Sequence, residues 1–132
     1  MKTSLTMLVS TCFFIFISTA QADFPANNST RISGDDLKTA LIGNVRHCSR
    51  SDGRTWDYTF YTDGQLKGEN SRGQDDDGTW KISSDGDLCL DWNFQFRDTC
   101  QTMYRNPANP KEFAYVGGSS GTFYTCNLKP IN

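Results

Sequence analysis

This chain of 132 residues has one histidine, four prolines and, beyond its first 22 residues, no long apolar run. Each shortage removes a class of function. With His47 alone and no C-x-x-C pair, neither a histidine-rich metal centre nor a structural zinc site has a framework. S-x-x-K does not occur. The G-x-S-x-G match at Gly117-Gly118-Ser119-Ser120-Gly121 reads as a glycine-rich connection with no helix after it, whereas a nucleophile elbow turns from a strand into a helix. His47 stands beside Cys48, but neighbours on a strand point to opposite faces and cannot easily share a proton. Basic residues lie singly, at Arg31, Lys38, Arg46, Arg50, Arg54 and onward. They form no stripe interleaved with aromatics, so nucleic acid is not an expected partner. Residues 117–121 are glycine-rich, without the lysine and following helix of a phosphate cradle. These residues point to no catalytic group, no metal and no cofactor.

What is present begins with an export signal. Residues 1–22 carry Lys2, an apolar stretch from Leu5 to Ile17, and Ala20-Gln21-Ala22. A basic start, a short apolar run and an A-x-A end describe a secretory signal peptide, too short to span a bilayer. The mature chain then starts at Asp23, with 12 basic and 15 acidic residues once Lys2 is gone. Residues 23–32 read as a polar, irregular segment with overlapping glycosylation sequons at Asn27 and Asn28, and residues 33–132 as one domain. Cys48, Cys89, Cys100 and Cys126 remain after cleavage. Four cysteines in a small exported chain imply two disulfides, with three possible pairings. The expected location is periplasmic or secreted.

Ser33, Asp35 and Asp36 mark a helix start, Leu37, Ala40 and Leu41 one apolar face, and Gly43 the end. From there the period changes to two. Trp56, Tyr58 and Phe60 alternate with polar residues, as do Trp80 and Ile82, and Leu88, Leu90, Trp92, Phe94 and Phe96. Such alternation marks strands with one buried face. Residues 99–105, 112–116 and 122–128 are further strand candidates. Asp52-Gly53, Asp63-Gly64, Asp77-Gly78 and Asp85-Gly86 read as hairpin turns between them. The pattern predicts a mainly β fold: a small antiparallel up-and-down β-barrel of seven or eight strands, preceded by one short helix.

Six aspartates fall between Gly73 and Trp92. An EF-hand register fails, because setting Gly78 or Gly86 at its sixth position puts Gly73 or Lys81 at its first. The aspartates are therefore read as turn formers and surface solvation, with Asp75, Asp76 and Asp77 in one solvated turn. The inward aromatics form either a packed core or an apolar pocket at the barrel mouth. On the pocket reading the ligand-binding residues are Trp56, Tyr58, Trp80, Trp92 and Phe94.

Several short motifs resemble a group of small exported bacterial proteins with a lipocalin-like barrel and no assigned activity. These are Leu41-Ile42-Gly43 at the helix end, the aromatic strand from Tyr58 to the Asp63-Gly64 turn, Gly78-Thr79-Trp80, and the strand from Asp85 to Cys89 with Cys100 after it. The resemblance implies the barrel and the exported location, and brings no catalytic residues. Cys89 and Cys100 share outward parity on consecutive strands, so they are expected to bridge, leaving Cys48 on the first strand for Cys126 on the last. The functional expectation is a non-enzymatic binding or interaction protein. Its partner would be a small hydrophobic ligand or an envelope or host protein. The alternative is an inhibitor of an exported hydrolase, presenting residues 106–110 or 117–121.

Overall fold

In the computed structural model, residues 29–117 and 122–131 are described. The signal peptide, the sequons at Asn27 and Asn28, and the connection at 118–121 lie outside them. Nine strands and one helix follow in order: β1 (Thr30–Ile32), α1 (Gly34–Leu41), β2 (Asn44–Ser49), β3 (Thr55–Phe60), β4 (Gln65–Asn70), β5 (Asp75–Ile82), β6 (Leu88–Trp92), β7 (Thr99–Asn106), β8 (Asn109–Gly117) and β9 (Thr122–Pro130). Strands β2 to β9 each pair antiparallel with the next, and β9 returns to β2. Eight strands thus close on themselves, which leaves no open sheet edge between first and last. The segment read as irregular ends early: Thr30–Ile32 extend the wall by pairing with Met103–Arg105 of β7, beyond the stretch of β7 that pairs with β6.

The closure is covalent. Cys48 and Cys126 are directly opposed on β2 and β9 and are joined by a disulfide inside the barrel. Cys89 and Cys100 are opposed on β6 and β7 and form the second bridge. Period-two alternation sends Phe60, Leu66, Trp80, Leu88, Leu90, Met103 and Phe113 into one core cluster. Outward positions such as Lys67, Glu69, Asp77, Lys81 and Asp91 stay exposed. Leu37 and Leu41 of α1 enter the same cluster. The helix is tied to the end of the barrel where the β3–β4 and β5–β6 turns lie, through Gly34 N–H to the Gly86 carbonyl and Gly43 N–H to the Phe60 carbonyl. That end is capped, and the opposite end, ringed by the β2–β3, β4–β5 and β6–β7 connections, is open.

Two sequence readings are corrected here. Asp77-Gly78 is not a turn. Both residues lie within β5, and the β4–β5 turn forms one signal earlier, at Gly73, whose φ of 77° needs a glycine. Gly78 answers a different demand, since a Cβ there would come 2.2 Å from the Asp91 carbonyl oxygen. The strand read through Phe96 stops at Trp92. Phe94 is therefore not inward but 83 % exposed.

Candidate functional site at the barrel mouth

The reason β6 stops is a single carboxylate. Asp76, expected in a solvated turn, points inward from β5 and is 2 % exposed. Its Oδ2 accepts hydrogen bonds from the backbone N–H groups of Phe94, Gln95 and Phe96, at 3.3, 2.8 and 2.9 Å. Three consecutive N–H groups turned onto one anion cannot also continue a ladder, so the chain bends into a loop over the mouth. Asp98 secures the loop's start by accepting from the Trp92 N–H at 2.7 Å. Burial by itself would raise the Asp76 pKa; the N–H groups of Phe96, Gln95 and Phe94 outweigh it and hold the carboxyl below its ordinary value.

A carboxylate with a lowered folded pKa stabilises fully above the unfolded value of about 3.9, and the contribution is lost as pH falls through the lower folded value. Asp76→Asn is therefore expected to lose about 1–3 kcal/mol at neutral pH. Its unfolding should also become less sensitive to acid below about pH 4. Urea titrations of both proteins at pH 7 and pH 3 check this. Equal stabilities at pH 7 would put Asp76 back among the solvated acids.

Within the open end lies a cavity of about 640 Å³. Its apolar wall is Trp56, Tyr58, Phe96, Tyr115 and Tyr124. Trp56 meets Tyr124 edge to face at 5.6 Å between centroids, and Tyr124 stacks on Tyr115 at 5.0 Å. Of the aromatics read as ligand-binding, the cavity takes Trp56 and Tyr58 and leaves the other three. Trp80 and Trp92 are buried in the core, Trp80 giving its Nε1–H to the Tyr61 carbonyl. Phe94 stands outside, on the loop that Asp76 holds.

Polar residues were the part that sequence reasoning missed. Arg50 and Arg54 come from the β2–β3 connection, Arg72 from β4–β5 and Arg97 from β6–β7, and all four line the cavity with no acid among its lining residues. Asp52 lies close by and pairs with Arg50 at 2.5 Å and Arg54 at 3.4 Å. Arg72 and Arg97 have no ion-pair partner among the described residues. The mouth is thus basic on a chain whose net charge is −2.

Beneath the cavity lies Arg46, 0 % exposed. It faces inward from β2 at the same parity as Cys48. Its guanidinium packs against the rings of Tyr115, Tyr58 and Phe60, at 4.9, 5.2 and 5.5 Å from their centroids. Nη1 donates to the Gln101 Oε1 at 2.8 Å, and the Gln101 amide in turn donates to the Thr99 hydroxyl. Burial pushes the Arg46 pKa down, with Tyr115 and Tyr58 opposing. Burial likewise raises the phenols of Tyr58 and Tyr115 against the pull of Arg46.

On the outer face, His47 is paired with Asp57 across β2 and β3 while Cys48 is inside in its disulfide, so the two neighbours do not meet. Asp75 and Asp77 point away from Asp76, and among the described residues no three His, Cys, Asp or Glu groups gather as metal ligands. No described helix is long and apolar enough to cross a membrane. Neither protein-family models nor curated proteins give a match to this chain.

Proposed function

We propose that this is an exported, non-enzymatic binding protein that takes a small, largely apolar ligand into the mouth of its barrel. One observation carries the reading: the aromatic-walled cavity of about 640 Å³ at the uncapped end. Small barrels can fill their interiors completely, and this one keeps a cavity at the end away from α1. The cavity's volume lies in the range of small-molecule sites, and its five aromatics form one apolar wall among polar lining residues. The polar outer face supports a barrel that works in water. Two disulfides fit an oxidising compartment. Export itself, with a mature N-terminus at Asp23, and kinship with the small exported lipocalin-like proteins belong to the same proposal. N-terminal sequencing of exported protein tests the first.

Uptake of the neutral dye Nile red by native protein tests the pocket. The expected result is a blue-shifted emission that saturates at one dye per barrel and is competed by added apolar ligand. Emission that rises only on unfolding would leave the cavity without a role.

A second reading has its own support. Phe94 is a bare aromatic on a loop fixed by three hydrogen bonds to Asp76. A rigid exposed aromatic is the form that interface anchors take. On that reading the partner is an envelope or host protein, or an exported hydrolase, and Phe94→Ser abolishes its capture without altering dye uptake.

A further inference from the structure

Arg46 carries a positive charge in the interior with its hydrogen bonding incomplete. Its Nε and Nη2 are buried without a hydrogen-bond partner among the described residues. Among the described residues no carboxylate lies within ion-pair distance of it. A buried charge is retained at large cost unless it is paired, and replacing it with an apolar residue is often stabilising. Arg46 therefore calls for an anion that the described residues do not supply.

The position of Arg46 says where that anion comes from. Three of its contacts, Tyr58, Tyr115 and Gln101, line the cavity above it. The entrance is ringed by arginines and has no lysine among its lining residues. Guanidinium groups present a fork of donors that matches a carboxylate, where an ammonium offers a point charge.

We propose that the ligand is an amphipathic organic acid, and that Arg46 is its anchor. The apolar body lies among Trp56, Phe96 and Tyr124, and the carboxylate binds end-on across Nη1 and the unpartnered Nη2 of Arg46. The head group reaches Arg46 by displacing Gln101, whose amide spans from Arg46 to Thr99 at the cavity wall. The rim arginines attract the acid and the buried one holds it. This deepens the binding-protein reading and rests on it, since without an occupied mouth there is no ligand to anchor.

Two matched pairs of probes test it by calorimetry: decanoate against decan-1-ol, and 1-naphthylacetate against 1-naphthylacetamide. Each acid is expected to bind at least tenfold more tightly than its neutral partner, the range of a hydrogen bond to a charged group. The preference should persist in 0.5 M salt, which screens the exposed rim but not a buried contact. Whichever pair binds better tells an acyl acid from an aryl one. In Arg46→Met the preference should vanish while the neutral probe still binds. If that variant does not fold, Arg72→Ser/Arg97→Ser in high salt serves instead, and should keep the preference. Equal binding of acid and neutral probe, or a preference abolished by salt, overturns the anchor and leaves the pocket. No binding by any of the four overturns the pocket and the anchor together.

Discussion

Replacing both Cys48 and Cys126 with alanine is expected to lower the stability of the barrel by about 4–5 kcal/mol, an upper figure from the chain-entropy estimate. The bridge spans 78 residues of sequence and joins the first barrel strand to the last. Its removal frees nearly the whole barrel in the unfolded state. The Cys89–Cys100 bridge spans 11 residues on consecutive strands, and the same estimate gives roughly 3 kcal/mol for it. The order of the two losses matters more than their sizes, because both estimates share the same assumptions. Urea unfolding of the two double-alanine variants checks it. A larger loss for the Cys89–Cys100 pair would mean that the β2–β9 seam holds by its backbone ladder and does not depend on its covalent tie.

Trp92→Ala is expected to cost about 3–5 kcal/mol, the range for truncating a buried large aromatic. Trp92 packs against Tyr58 at 4.9 Å and Phe96 at 5.0 Å between centroids. Its ring also lies over Gly68, where an added Cβ would meet it at 2.5 Å. Trp92 is thus the support beneath two cavity residues and not itself part of the cavity wall. Its loss should loosen Tyr58 and Phe96 as well as the core. Thermal unfolding gives the magnitude. A folded variant with a loss under about 1 kcal/mol and weakened ligand binding would place Trp92 in the pocket instead.

The parts of this molecule set by local chemistry were legible from its residues. Alternation at Trp56, Tyr58 and Phe60 gave β3, and Asp52-Gly53, Asp63-Gly64 and Asp85-Gly86 gave three hairpins whose glycines have φ near 85°. Shared parity on consecutive strands joined Cys89 to Cys100, and closure of the meander left Cys48 on its first strand for Cys126 on its last. Asp77-Gly78 was misread because one dipeptide serves two needs, a positive φ in a turn and a close backbone approach in a bent sheet. Phe94 was misread because its alternation with Trp92 and Phe96 is perfect. What breaks the strand is a carboxylate 18 residues earlier in the chain, and no local pattern reports it.

The mouth was the least legible part, since its arginines are scattered in sequence. Arg50, Arg54, Arg72 and Arg97 sit in three separate connections, which only the closed barrel brings to one end. Arg46 left one faint signal. It shares parity with Cys48, so placing that cysteine inside places the arginine inside too.

The most direct measurement is native mass spectrometry of the protein purified from its own compartment. The expected spectrum shows the barrel carrying one small molecule that is released on activation and detected as an organic anion. An empty barrel, purified in complex with a second protein that Phe94→Ser removes, would contradict it.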